Sequence, residues 1–549
     1  MAEQPFDVVV IGGGVVGAGA ALDAAARGLS VAVVEQRDWA AGTSSRSSKL
    51  IHGGLRYLEQ FEFGLVREAL RERELLHTRL APHLVTPVSF LYPLREPLVD
   101  RLYVGAGIAL YDFIGGARHL PRHRHLTRRG TLKLCPGLAD DNLHGAIRYY
   151  DCQVDDARHT LAVARTAARF GAAMATSVRA TGFMREGERV VGVQATDLES
   201  GQELEIAAGQ VINATGVWTD DVQKMAGRGR IHVQASKGIH LIVPRDRIAS
   251  DTGILLRTET SVLFVIPWGR HWIIGTTDTA WELDLAHPAA SRADIDYVLG
   301  KVNEALAQEL THADVEGVYA GLRPLLSGES AATSALSREH AVSQPVPGLT
   351  TVAGGKYTTY RVMAADAVDS AGRGLDRSVP PSPTRHIPLS GADGFPALWN
   401  RRHTIAAEAE LHVARVEHLL RRHGSNIFEL LALLAERPEL REPVPGADDY
   451  LALEAVYAVT HEGALHLDDV LTRRTHISIE AWDRGLAAAE VVGELMAEVL
   501  GWSAERTERE VTHYQARVGA ERFSQRQHDD ATADAARLGA PDVRRGAPA

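Results

Sequence analysis

The sequence predicts a mixed α/β architecture: a parallel βαβ section interleaved with an antiparallel sheet, followed by a helical C-terminal domain. Three observations carry this. Residues 6–34 read as strand, glycine turn, alanine-rich helix and strand. Residues 172–280 bring in alternating, period-two strands. Beyond Pro380 a linker rich in Pro, Gly and Ser gives way to helical spacing. At 549 residues the chain exceeds what one hydrophobic core usually holds, so two or three domains are expected.

Taken in order, FDVVVI at 6–11 is a continuous apolar run, as in a strand buried on both faces of a parallel sheet. The helix Ala18–Arg27 and the run Leu29–Val34 complete the βαβ unit. Residues 65–80 have helical spacing with mixed charge outside. Leu102–Ile114 is apolar but too short for a membrane span, and it contains Asp112. A hairpin region at 172–212 leads to the strand-like runs IHLIVP, SVLFVIPW and HWIIGTTD. After the linker PPSPTRHIPLSGADG, helices are expected at Ile405–Arg422, Asn426–Glu436, Tyr450–Thr460 and Ile479–Leu500. These segments divide the chain into residues 1–385, with antiparallel sections at roughly 80–150 and 225–345, and a helical domain at 386–518. A polar tail at 519–549, rich in Ala, Gly and Pro near its end, is expected to be disordered.

Composition narrows the function. A net charge of −11 argues against a nucleic-acid binder, which needs a basic surface to neutralise phosphates. Two cysteines, Cys135 and Cys152, supply neither a zinc site nor a disulfide framework, so no metal is expected and the cytoplasm is the natural compartment. The N-terminus has no charged region ahead of its apolar run, and no secretory signal is read there.

Gly12-x-Gly14-x-x-Gly17 follows the first strand directly and opens the first helix, and Glu35 ends the second strand. Each part has a physical task. Gly12 permits the tight turn, Gly14 lets a pyrophosphate approach the backbone, and Gly17 lets helix and strand pack closely. The helix N-terminus faces the phosphates, and Glu35 can accept ribose hydroxyls. A 2′-phosphate would be repelled by that carboxylate, which disfavours NADP. The section is therefore a Rossmann-like dinucleotide site.

The choice between flavin and nicotinamide rests on later segments. A polar loop of small residues, Ala41 to Gly54, carries Thr43, Ser44, Ser47, Ser48, Gly53 and Gly54, whose hydroxyls and amides suit an extended cofactor. Far downstream, TVAGGKYTTYR again presents a strand, the Gly354-Gly355 turn and a helix start near Thr358. That second helix N-terminus could face a flavin ring or ribityl chain. From spacing alone, two ordinary turns remain the alternative.

Assembled, these segments resemble the FAD-dependent, aerobic-type glycerol-3-phosphate dehydrogenase family, from about residue 5 to about 515. The resemblance rests on DVVVIGGGVVGAGAALDAAARG, GTSSRSSKLIHGGLRYLE, VINATGVWTD, SKGIHLIVP, IIGTTDT, AGLRPLL, SREH and AGGKYTTYRVMA. HEGALHLDDVLTRRT resembles that family's helical cap domain. The resemblance implies non-covalent FAD, with Ala214 and Gly216 of VINATG joining the cofactor-binding set. It implies oxidation of sn-glycerol 3-phosphate to dihydroxyacetone phosphate, with electrons passed to membrane quinone. It also implies subunit contact, as in a homodimer, through the helical domain.

Such a substrate needs cations for its phosphate and one proton acceptor. By resemblance, Arg56, Arg338 and Lys356 would hold the phosphate, Tyr57 would add a hydroxyl, and Arg323 would stabilise the developing carbonyl oxygen. His240 is the leading general base; the plain alternative is a strand histidine satisfied by a backbone partner. The basic stretch RHLPRHRHLTRR after the apolar 102–114 segment is either a solvated loop or a peripheral contact with the inner face of the cell membrane. An oxygen-using glycerol-phosphate oxidase, a related amine or amino-acid oxidase and a non-catalytic flavin-binding protein stay open as alternative functions.

Overall fold

The computed structural model describes residues 4–59, 61–96, 99–115, 119–258, 262–327, 339–540 and 542–544. The first apolar run forms the strand Phe6–Ile11, and the second forms Val31–Val34 parallel to it. Between them runs the helix Val15–Ala26. Its Ala18, Ala20, Ala21 and Ala24 are fully buried, and such small side chains let the neighbouring helices Asp156–Arg169 and Tyr360–Gly372 approach closely.

The sheet built on these strands runs His340–Val346, Leu349–Gly354, Glu203–Asn213, Phe6–Ile11, Val31–Val34, Ala173–Ala175. Every pairing in this order but the first is parallel, so several carboxyl ends open on one edge, where ligands of doubly wound sheets bind. An antiparallel extension, Val178–Glu186 with Arg189–Asp197, hangs from Glu203–Asn213.

A second, ten-stranded sheet supplies the opposing wall. Its central strand, Val233–Pro244, pairs antiparallel with Gly317–Leu326 on one side and His271–Gly275 on the other. That register sets Ser236 against Arg323, Gly238 against Gly321, His240 against Tyr319, and His240 also against Gly275. Strands Val85–Leu94 and Gly145–Val154 continue the sheet beyond Gly253–Arg257. The expected antiparallel section ends earlier than residue 345: His340–Val346 pairs with Leu349–Gly354 and belongs to the first sheet.

The C-terminal helices depart from expectation in two places. The predicted Ile405–Arg422 helix is broken into Arg402–Glu408 and Val413–His423, with Glu410 between them at φ +54°. Left-handed Arg484 and Gly485 interrupt the predicted 479–500 helix, leaving Ile477–Glu480 and Leu486–Leu500. The largest correction concerns the tail. In place of disorder from residue 519, Ala504–Ser524 is one helix and Asp530–Arg537 another. Its polar composition concealed charges that act as partners of buried groups: Lys237 Nζ meets Asp294 at 2.6 Å and Asp530 at 2.5 Å, and Arg544 meets Asp469 at 2.9 Å.

Candidate active site

A cavity of about 790 Å³ runs between the carboxyl edge of the first sheet and the face of the second. At one end lie Gly12, Gly14 and Glu35; at the other lie Tyr57, His240, Arg323 and Lys356.

The glycine end is built from backbone. Gly12 sits at φ +111°, and a Cβ there would lie 2.7 Å from the Ala214 carbonyl oxygen. A Cβ on Gly17 would lie 1.9 Å from the Gly12 oxygen, so only glycine allows the helix to start where it does. The Ser44 hydroxyl accepts from the Val15 amide at 3.0 Å, tying the polar loop to the helix N-terminus. Glu35 takes the Gly13 amide at 2.6 Å on one oxygen and the Arg37 amide at 2.8 Å on the other. Burial raises its pKa, and those two amide bonds oppose the rise.

Sequence reasoning missed several charged residues of the lining, among them Arg37, Arg46 and Asp542. Both arginines donate to the Ala286 carbonyl, at 3.0 and 3.3 Å, and neither forms an ion pair among the described residues. Burial lowers both pKa values, and for Arg46 the neighbouring Arg37 adds to the effect. The buried Arg37 Nε has no hydrogen-bond partner among the described residues. Glycines that clear a path, a helix N-terminus and two such guanidinium groups fit a cofactor bearing a diphosphate. The signal for Arg37 was available in its position, two residues beyond Glu35. Asp542 lay hidden in a tail that carries no motif.

The other end is built from side chains set by strand register. The His240 ring stacks on Tyr319 with centroids 4.7 Å apart, and Nε2 lies 2.8 Å from the Ser48 hydroxyl. Nδ1 has no partner among the described residues, and the residue is 2% exposed. Burial holds its pKa well below the usual imidazole range, with Arg323 and Lys49 adding positive potential. His240 is therefore neutral at neutral pH, the state a proton acceptor needs. Gly275 makes room for the ring, since a Cβ there would lie 2.4 Å from His240 Cδ2.

Arg323 donates to Thr276 Oγ1 at 3.2 Å and to the Thr277 carbonyl at 3.1 Å, and lies 3.5 Å from Asp278. Gly238 clears its path: a Cβ there would meet Arg323 Nη2 at 2.6 Å. Lys356 Nζ stands 3.5 Å from the Tyr57 ring centroid, a cation–π pair at the cleft wall. Gly238, Gly275 and Tyr319 were not singled out from sequence. Gly238 could have been, because it stands two residues before His240 on an alternating strand and so shares its face.

Other predicted residues fall into place unevenly. Ser44, Ser48, Ala214, Gly216, Gly354, Gly355 and Thr358 line the cleft. Thr43 and Ser47 line it too, but their hydroxyls are committed, to the Leu322 carbonyl at 2.6 Å and to Asp156 at 2.7 Å. Thr358 Oγ1 exchanges hydrogen bonds with the His52 backbone at 3.3 and 3.2 Å, joining two loops. Gly17, Gly53 and Gly54 lie behind the lining. The Gly53 amide donates to the buried Tyr111 hydroxyl at 2.7 Å, and Gly54 adopts φ +81° beside Tyr57. Arg56 opens the short helix Arg56–Glu59 with its side chain outside the described residues, and Arg338 lies outside them altogether.

Comparison with known proteins gives two family matches along the chain. Residues 7–361 match the family model described as FAD dependent oxidoreductase, and residues 382–507 match that of the C-terminal domain of alpha-glycerophosphate oxidase. The chain is 60% identical to a glycerol-3-phosphate dehydrogenase of Mycobacterium leprae over 98% of this chain and 93% of that protein. It is 37% identical to the mitochondrial glycerol-3-phosphate dehydrogenase of Homo sapiens, over 90% of this chain and 71% of that one. The X-ray structure of glycerol-3-phosphate dehydrogenase from Bacillus halodurans complexed with FAD aligns with a TM-score of 0.79 at 31% identity, covering 95% of each chain. L-alpha-glycerophosphate oxidase from Mycoplasma pneumoniae, at 17% identity and a TM-score of 0.53, shares the fold.

Proposed function

The chain belongs to the FAD-dependent glycerol-3-phosphate dehydrogenase family, and from that premise we propose that it oxidises sn-glycerol 3-phosphate to dihydroxyacetone phosphate and passes the electrons to a membrane quinone. The carrying observation is one cleft with a diphosphate-compatible end and, opposite it, a neutral buried histidine beside cations. When bound, the flavin supplies the acceptor for two electrons. Gly12, Gly14, Glu35, Arg37 and Arg46 would hold its nucleotide half, and Gly354 with Gly355 its distal half.

The chain's own part in the reaction follows from chemistry at each atom. Lys356 and the Tyr57 hydroxyl bind the phosphate, with Arg56 and Arg338 assigned to the same task by resemblance. His240 takes the proton of the C2 hydroxyl as the carbonyl forms. The Arg323 guanidinium donates to the oxygen on which negative charge develops, and Asp278 and Thr276 fix its plane. An oxidase of free amino acids would need a site for a carboxylate and an amine; this end presents cations and a hydroxyl donor.

A quinone acceptor requires contact with lipid. Among the described residues no helix is long and apolar enough to cross a membrane. The helix Val99–Gly115 instead exposes Leu102, Tyr103, Leu110 and Phe113, and Phe63, which begins the helix it packs on, is exposed too, as is Phe61 just before it. Residues 119–129 of the basic stretch lie alongside, held by the His123 ring, whose Nδ1 is 2.6 Å from Asp112. An apolar face flanked by cations suits the surface of an anionic membrane.

Anaerobic titration of the holoprotein tests the substrate. Glycerol 3-phosphate should bleach the flavin band, while glycerol and amino acids leave it unchanged; bleaching by amino acids alone would overturn the reading. Turnover with a short-chain quinone analogue, compared with oxygen uptake, decides the acceptor.

A further inference from the structure

A second cavity, of about 430 Å³, lies where the second sheet meets the C-terminal helices. The strand Gly317–Leu326, the residues just before it and the helix Arg292–Asn303 form one wall; Trp482, Arg484 and the helix Ala504–Ser524 with its following turn form the other. Its charge is one-sided. Arg292, Arg484, Arg522, Arg526 and His312 face a single carboxylate, Glu316. Glu316 is already engaged by His271 at 3.1 Å, and Asp296, outside the lining, serves Arg292 at 3.4 Å and His312 at 2.5 Å. Arg484, Arg522 and Arg526 form no ion pair among the described residues. Arg522 donates to the Trp482 carbonyl at 2.7 Å, and Arg484 reaches only Gln525 Oε1, at 3.5 Å.

Arg484 is the telling residue. It is 6% exposed, and burial lowers its pKa to about 10 despite the pull of Glu521, with Arg522 lowering it further. Its backbone stands at φ +63°, a region a non-glycine residue enters only when its surroundings hold it there. Here the Tyr514 hydroxyl donates to its carbonyl at 2.7 Å. A buried guanidinium with no ion pair among the described residues, fixed in place at a cavity wall with two more cations beside it, is arranged for an anion that arrives from outside.

We propose that this cavity is a second ligand site, separate from the cofactor cleft, that takes a phosphate group carried on a small apolar or planar body. The arginines match phosphate geometry, and Trp482, Ile295, Val315 and Val318 offer the body an apolar surface. Because its walls come from the sheet domain and the C-terminal helices, occupancy stabilises their docking by mass action.

The test titrates FAD-loaded protein with inorganic phosphate, pyrophosphate and phenyl phosphate, reading tryptophan emission and the thermal midpoint. Saturable shifts are expected, with phenyl phosphate binding more tightly than inorganic phosphate. Arg484→Gln should weaken binding about tenfold or more, and the exposed Arg526→Gln a few-fold, with the flavin retained. Trp482→Phe should keep the midpoint shift and lose the emission change. Because the substrate end of the cofactor cleft also takes phosphate, Lys356→Ala should remove that end's share of the midpoint shift and leave the Trp482-dependent emission change in place. Phosphatidylglycerol vesicles distinguish a lipid source: equal vesicle binding by wild type and Arg484→Gln supports a soluble ligand, whereas a defect confined to vesicles overturns it. No saturable shift up to about 10 mM, or identical titrations of wild type, Arg484→Gln and Arg526→Gln, would overturn the site itself.

Discussion

The two ends of the cofactor cleft are built on opposite principles. At the glycine end, contacts come from backbone within a short stretch of chain: Gly12, Gly14, Gly17 and Glu35 lie inside one βαβ unit. At the histidine end, His240, Arg323 and Lys356 come from separate strands and turns, and only register brings the first two together. Backbone sites fail as a whole when one atom is added, because a backbone cannot rotate out of the way. Side-chain sites fail in part, because each group performs one task. The contrast predicts loss of cofactor at one end and loss of rate at the other.

The largest effect belongs to Gly17→Val. Its Cβ would stand 1.9 Å from the Gly12 carbonyl, a distance that forces helix and strand apart. Purified protein should contain no flavin and take up none on addition; a yellow Gly17→Val protein would break the comparison. Next comes His240→Gln, which should lower turnover roughly 10²- to 10⁴-fold with flavin content unchanged. In wild type the depressed pKa keeps His240 unprotonated, so turnover should stay level through pH 6–7, where an ordinary histidine titrates. An acid limb centred near 6.5 in kcat at saturating substrate, where the substrate phosphate's own ionisation no longer governs binding, would exclude His240 as the base.

The same contrast decides what the sequence made legible. The glycine end could be read because its spacing is local: a strand, a turn and a helix within thirty-odd residues impose glycine at fixed positions. His240 and Arg323 were reachable through resemblance, and Gly238 through its place two residues before His240, but Gly275 and Tyr319 were not, since their need arises only when three strands are laid in register. The tail misled for a related reason. Asp530 and Arg544 look like solvated charges until Lys237 and Asp469 are found opposite them, 293 and 75 residues away in sequence. Composition records how many charges a segment has and is silent on which of them are paired.

A third prediction sharpens the comparison at the glycine end, which is backed by charge as well as by glycine. His466, fully buried in the cap, lies 2.7 Å from Glu199 and 3.0 Å from Glu510. Glu199 follows Leu198, which lines the cleft. Burial disfavours the charge on His466, but the bonds to Glu199 and Glu510 outweigh it and raise its pKa to about 9. Below pH 6.5 both folded and unfolded chains carry this proton, and the stabilisation is complete. As pH rises from there toward 9, the unfolded chain has released its proton while the folded chain still holds it, so stability falls. About 3 kcal/mol should be lost across that window, seen as a falling thermal midpoint with flavin release. His466→Gln should flatten the profile, and a midpoint independent of pH from 6.5 to 9 in wild type would show that the His466 contacts with Glu199 and Glu510 do not stabilise the fold.

The smallest effect tests the histidine end at its most forgiving point. In Gly238→Ala the new Cβ would approach Thr276 Oγ1 to 2.5 Å and Arg323 Nη2 to 2.6 Å, both side-chain tips rather than backbone. The guanidinium can swing by rotamer change, giving up one or both of its bonds to Thr276 and the Thr277 carbonyl. Loss of one such donor near the developing oxygen is worth about 1–2 kcal/mol, so kcat/KM should fall roughly tenfold, mostly through kcat. Flavin content and thermal midpoint should match wild type, because the added methyl touches no backbone of the glycine end. A Gly238→Ala protein that loses flavin would mean that the two ends are mechanically coupled through the second sheet, and that the division between a backbone-built and a side-chain-built half is too sharp.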